Sequence, residues 1–224
     1  MMIKAVLVDF DGVLVDATNA YMKATNVAMK NFKSSKVTED EERYISLEIA
    51  RRLDLGISRD KLLDGIISIA PDMVIEFIDL WLRTWNKACL WEVELLQGVD
   101  QVLIDLSKRF PLALVTLRHV NKGLIEDQLK RLKLNRFFKT IITALDVKKP
   151  KPDPASFVEG AERIGVAMED CIIVGDSITD IRAGKAGGAK TIAVLTGIFD
   201  EKTLRKEEPD LIIGSITEIL KYLK

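Results

Sequence analysis

Residues 5–14 read Ala5-Val6-Leu7-Val8-Asp9-Phe10-Asp11-Gly12-Val13-Leu14, a short apolar run that stops on a carboxylate. A continuous apolar run of this length, closed by charge, is the pattern of a strand buried on both faces within a parallel sheet. The pattern returns at Leu112 to Thr116, Thr140 to Thr143, Cys171 to Val174, Thr191 to Leu195 and Leu211 to Ile213. Most of these runs are separated by amphipathic stretches of helix length, which predicts an α/β fold with a Rossmann-like parallel sheet as its core. Boundary signals agree. Asp153-Pro154 places a capping residue before a proline that opens a helix, Ser215 and Glu218 have capping-box spacing, and Gly187-Gly188 closes the helical segment 178–186.

The stretch from Asp16 to Trp91 breaks this alternation. It holds only helical periodicity, with Thr38 and Glu41 spaced as a capping box, Ser58 as a further cap and Pro71 opening another helix. It is expected to form an all-helical insertion, residues 16–95, set as a small separate domain into a core made of residues 1–15 and 96–224. All three tryptophans fall in it, and Trp81 and Trp85, four apart on one helix face, are expected to pack inside the bundle. Arg43, Arg51 and Arg52 lie there too, where charges are ordinarily solvated.

The 224 residues carry 33 Lys and Arg against 34 Asp and Glu, a net charge of −1. Such a balance provides no global positive field to hold nucleic acid or an anionic membrane, and no apolar segment approaches the ~20 residues of a membrane span. Asp9 cuts the first apolar run too early for a secretion signal, so the expected location is the cytoplasm. Cys89 and Cys171 lack CxxC spacing and read as buried thiols of that reducing compartment. The chain is long enough to fold without a staple, as a monomer or homodimer. Because His119 is the single histidine, a histidine-built zinc site is excluded and any catalytic metal rests on carboxylates.

Two acidic pairs supply such carboxylates. Alternation sends Asp9 and Asp11 to the same side where the first strand leaves the sheet, and Gly12 allows the turn that follows. In Val174-Gly175-Asp176-Ser177-Ile178-Thr179-Asp180 a second pair meets on one side of an entering helix turn, with Gly175 permitting close approach. Each pair alone has an ordinary explanation, turn chemistry for the first and helix capping by Asp176 or Ser177 for the second. Gathered at the C-terminal edge of one sheet, four carboxylates repel strongly without a cation, and an all-oxygen ligand set suits Mg²⁺ with a phosphate oxygen.

Phosphate also needs donors. The segment from Asp146 to Pro154 holds three of the six prolines, which restrict the backbone around Lys148, Lys149 and Lys151; its plain alternative is a solvated basic linker. Thr116 ends its strand with a hydroxyl, beside the backbone N–H groups of Leu117 and Arg118. These parts allow nucleophilic phosphoryl transfer. Asp9 attacks phosphorus, Asp11 protonates the leaving oxygen and then deprotonates water, and Mg²⁺ with Lys149 neutralises the transferring group. His119 reads as a surface histidine.

The chain resembles the haloacid dehalogenase (HAD) superfamily over essentially its whole length, specifically the phosphoglycolate-phosphatase-like branch with a helical cap after the first strand. Asp9 and Asp11 look like the nucleophile and acid/base of the first motif, Thr116 like the phosphate-binding residue of the second, Lys149 (with Lys148 as fallback) like the lysine of the third, and Asp176 with Asp180 like the metal-binding fourth. The resemblance implies Mg²⁺ held by the Asp9 side chain, the Asp11 backbone carbonyl, Asp176 and Asp180, and a small phosphorylated metabolite selected by the cap. Members often carry Asn after the second-motif hydroxyl residue; Leu117 and Arg118 stand here instead. Asp11 argues against the dehalogenases, which lack the second aspartate. A sugar-phosphate mutase similar to β-phosphoglucomutase shares DxDGV and a helical cap and stays open, and from a different class so does a phospho-accepting signalling domain, against which the insertion argues.

Overall fold

β1 (Ala5–Val8) is buried along its whole length because it is hydrogen-bonded on both edges in the middle of a sheet. This is seen in a computed structural model that describes residues 3–32 and 37–223. After β1 the chain turns at Gly12, whose φ of +73° lies in the left-handed region that glycine enters without steric cost, and reaches the two-residue β2 (Val15–Asp16). The chain then builds a helical unit and returns through β3 (Glu94–Leu95), which pairs antiparallel with β2. Two residues are too few to leave a periodic signal, so this ribbon has no counterpart among the apolar runs.

Packing divides the chain into Met1–Asp16 with Glu94–Lys224, and Ala17–Val93. The second unit consists of α1 (Thr18–Asn31), α2 (Glu39–Asp54) and α3 (Val74–Trp91) with short 3₁₀ turns between the last two. Thr38 caps α2 as a full capping box with Glu41. Ser58 instead precedes a 3₁₀ turn and Pro71 opens another that leads directly into α3, and neither turn has a side-chain cap. Trp81 is buried, donates its indole N–H to Thr25 Oγ1 at 2.9 Å and stacks on Tyr21, while Trp85 lies half-buried on the same ring. Trp91 is exposed. Arg52 is tied down by Glu48 and by the carbonyls of Leu62 and Asp64.

The first unit continues through α4 (Val99–Ser107), β4 (Leu112–Val115), α5 (Lys122–Arg131), β5 (Phe138–Ile142), α6 (Ala155–Arg163), β6 (Cys171–Gly175), α7 (Ile178–Ala186), β7 (Lys190–Val194), α8 (Glu201–Arg205) and β8 (Leu211–Ile213). All six long strands run parallel in the order β5-β4-β1-β6-β7-β8. Chain order reverses about β1, so the crevice outside the C-terminal ends of β4, β1 and β6 is where such a sheet takes a ligand. One core cluster joins Leu7, Val115, Ile142 and Ile173 of the strands to Phe157 and Ala161 of α6 and Ala183 of α7. Two predicted caps shift. Asp153 accepts from the Ala155 N–H with Pro154 at the capping position, and Ser215 makes no side-chain cap while Glu218 accepts from the Gly214 N–H ahead of a 3₁₀ turn. No helix among the described residues is long and apolar enough to cross a membrane.

Candidate active site

Three adjacent strand ends deliver the predicted residues. Asp9 follows β1 and its N–H donates to the Val174 carbonyl at 2.9 Å, which fixes it beside the end of β6. Asp176 follows β6, and Asp180 sits in the first turn of α7. All three are buried, and one carboxylate oxygen from each lies within 4.8 Å of the others. Oxygens in an octahedral Mg²⁺ shell at about 2.1 Å from the ion are about 3.0 to 4.2 Å apart, so a small adjustment closes this set on a cation of that size. The donor set fits the ion.

Asp180 caps its own helix and meets a buried ammonium at the same time. Its Oδ2 accepts from the N–H and hydroxyl of Ser177 in a capping box, while its Oδ1 accepts from a lysine ammonium at 2.6 Å. That lysine is Lys151. Its Nζ also donates to Asp9 Oδ1 at 2.7 Å and to the Val115 carbonyl at 3.3 Å, and it lies over the Phe157 ring. Lys149 and Lys148 are exposed, so the expectation placed on Lys149 is corrected. The Asp153 N–H closes a turn onto the Pro150 carbonyl; it leaves Lys149 on the outside and turns Lys151 inward.

Asp11 departs from the expected grouping. Its side chain does not join the three carboxylates; both of its oxygens are taken by the buried guanidinium of Arg118, Nε to Oδ2 at 2.7 Å and Nη2 to Oδ1. Arg118, expected to offer its backbone N–H to substrate, donates that N–H to Thr116 Oγ1 at 3.3 Å and sends Nη1 to Gln128 Oε1 at 2.7 Å. Thr116 is buried at the end of β4, with its N–H on the Ile142 carbonyl. Leu117 is half-buried and His119 exposed.

The loop after β7 supplies support that carries no local sequence signal. The Ile198 N–H donates to Asp176 Oδ2 at 3.3 Å, Thr196 Oγ1 donates to the Gly12 carbonyl, and a Cβ on Gly197 would overlap the Asp176 carboxylate. The electrostatics are equally tight. Burial pushes the Asp9 carboxyl up to about 8, against the pull of Lys151 and with Asp180 and Asp11 adding to the rise. Burial opposes the charge on Lys151, but Asp180 and Asp9 overcome it and hold the ammonium above its ordinary range. With all four aspartates ionised, four carboxylates against two buried cations leave two formal negative charges, the complement of one divalent ion.

The family model described as haloacid dehalogenase-like hydrolase matches residues 6–194, which takes in the ends of β1, β4 and β6 and stops just short of the loop that holds Gly197. The chain belongs to the haloacid dehalogenase-like hydrolases. Among its relatives in that family, pyrophosphatase PpaX of Anoxybacillus flavithermus is 29% identical over 230 residues, spanning 100% of this chain and 98% of that protein. A phosphoglycolate phosphatase of Nitrosospira multiformis is 27% identical over 224 residues, 99% of this chain and 96% of the other. The HAD-hydrolase YfnB of Bacillus subtilis, solved bound to magnesium, shares the fold at a TM-score of 0.75 with 21% identity, covering 100% of both chains. Of the residues that the resemblance singles out, Asp9, Asp176 and Asp180 lie together, Lys151 takes the place expected of Lys149, and Asp11 is paired with Arg118.

Proposed function

We propose that this hydrolase is a Mg²⁺-dependent phosphatase acting on a small phosphorylated metabolite through an aspartyl-phosphate on Asp9. The observation that carries the reading is the Lys151 ammonium pinned between Asp9 and Asp180 inside a buried triad of carboxylates. Such an arrangement offsets part of the carboxylate charge, aims Asp9 and leaves a negative remainder for a cation to balance. Relatives named for phosphoglycolate and pyrophosphate hydrolysis support a small phosphorylated substrate, and the magnesium-bound relative supports the ion.

The Asp9, Asp176 and Asp180 side chains would hold Mg²⁺, with the Asp11 carbonyl oxygen that the resemblance implies; when bound, the ion supplies charge neutralisation at the phosphoryl oxygens. Asp9 attacks phosphorus in line while Lys151 and the Thr116 hydroxyl orient the phosphoryl oxygens. Asp11 gives a proton to the departing oxygen, then takes one from the water that cleaves the Asp9–phosphorus bond. Cys89 and Cys171 are buried and form no disulfide, which suits the reducing cytoplasm.

The test is a panel of phosphorylated metabolites with and without Mg²⁺. Release of inorganic phosphate that EDTA stops and Mg²⁺ restores is expected. Conversion of a sugar 1-phosphate to its isomer without release would make the protein a mutase, and a stable phosphoprotein without turnover would make it a signalling domain.

A further inference from the structure

The two-point fork between Arg118 and Asp11 lies outside the lysine and carboxylate triad, yet it is built as firmly as the triad. The Arg118 side chain is 1% exposed while that of Asp11 keeps 15%, so the guanidinium sits behind the carboxylate and leaves it an open edge. The guanidinium is held by Asp11 Oδ2, Asp11 Oδ1, Gln128 Oε1 on α5, and the Phe10 ring, whose centroid is 4.9 Å from Cζ. Gln128 is itself buried. An arginine fork meets a carboxylate in one plane, and it uses one lone pair on each oxygen while leaving another on each. Lysine, a point charge with rotatable donors, fixes no such plane.

We infer that Arg118 is the positioning residue for Asp11, holding its carboxyl group at a set angle so that poor leaving groups, the alkoxides of phosphorylated hydroxy acids and sugars, are expelled. The inference rests on the reading of Asp11 as proton donor. In the first step the Asp9 oxygen–phosphorus bond forms as the phosphorus–alkoxide bond breaks, and the Asp11 proton passes to the alkoxide. In the second, a water proton returns to Asp11 as the water oxygen bonds phosphorus and the Asp9–phosphorus bond breaks, so alcohol and inorganic phosphate leave and both aspartates are regenerated. A stable leaving anion such as p-nitrophenolate departs with little need of that proton, whereas an alkoxide depends on it. Misplacing a reacting group by about 1 Å costs on the order of 10²-fold in rate.

The experiment compares kcat/KM, which covers the steps through loss of the leaving group, for p-nitrophenyl phosphate and for the best alkyl phosphate of the metabolite panel. The parent is set beside Arg118→Met, Arg118→Lys, Asp11→Asn and the double variant Asp11→Asn/Arg118→Met. Arg118→Met is expected to lose about 100-fold on the alkyl phosphate and about tenfold or less on the aryl phosphate, with part of the difference recovered by Arg118→Lys. In the Asp11→Asn background Arg118→Met should add no further selectivity. Where Arg118→Met fails to fold with Asp11 left unpaired, the lysine variant and the double variant, which removes both charges, carry the comparison. Equal losses on the two substrates by the Arg118 variants, beside a selective loss in Asp11→Asn, overturn the positioning role alone. An Asp11→Asn variant that treats the two substrates alike overturns the acid/base reading beneath it.

Discussion

Lys149 and Lys151 occupy the same local setting, each followed by proline, and they separate only in three dimensions. Lys151 stands between two buried carboxylates, and Lys149 faces solvent. Lys151→Met should therefore lower kcat/KM by at least about 10²-fold, because it removes the charge facing the phosphoryl group and strands Asp9 and Asp180 beside each other. Lys149→Met should stay within about twofold, as exposed charges do; parallel kinetics on the two variants decide. Asp9 carries a second residue-scale consequence. A carboxyl raised to about 8 in the fold, from about 4 in the unfolded chain, favours folding most below pH 4 and costs stability as pH climbs from about 4 through about 8. Asp9→Asn lacks that titration. With EDTA present it should exceed the parent in urea midpoint at pH 8, by a margin that shrinks toward pH 5; a margin independent of pH would contradict the buried environment assigned to Asp9. The four aspartates were legible because they end strands and carry spacing. The pairing of Arg118 with Asp11 was not, since the two lie 107 positions apart and meet only once β1 and β4 are neighbours.

At the scale of elements, the site depends on a loop that holds no reactive side chain of its own. The segment after β7 presses Gly197 onto Asp176 and donates the Ile198 N–H to it, so Asp176 has one available position. Gly197→Ala forces either the loop or the carboxylate to move. Mg²⁺ affinity, read by calorimetric titration, should weaken by about 10- to 100-fold, the range typical of lost support behind a ligand, with the fold retained by circular dichroism. Unchanged affinity would mean that the loop does not set the ligand. The long strands and the start of α2 were readable from apolar runs and the Thr38–Glu41 box, because burial on both faces and end-capping leave local patterns. β2 and β3 were not, being stabilised by their position at the crossings rather than by composition. The role of Gly197 left no trace either, since a close approach to a distant residue is invisible in a lone glycine.

Taken as a whole molecule, the near-zero net charge conceals a strong local imbalance. Six strands in parallel bring charges from residues 9 to 180 to one edge, where four carboxylates outnumber Lys151 and Arg118 by two. Only the topological reversal about β1 does this, because it makes the ends of β4 and β6 flank the same strand. On the proposed function the deficit would be balanced by a divalent ion, which with Lys151 would favour a phosphate dianion. Asp9 and Asp180 both lie beside the lysine and in the triad that would hold the ion, but the second oxygen of Asp180 is committed to capping α7. The central claim is that phosphorus passes through the Asp9 side chain, and rapid acid quench of a single turnover with Mg²⁺, followed by peptide mass spectrometry, tests it most directly. The account predicts a hydroxylamine-labile phosphoryl group on Asp9 that forms and decays at the rate of product release; turnover with no phosphoryl group on Asp9, or with one on another residue, would contradict it.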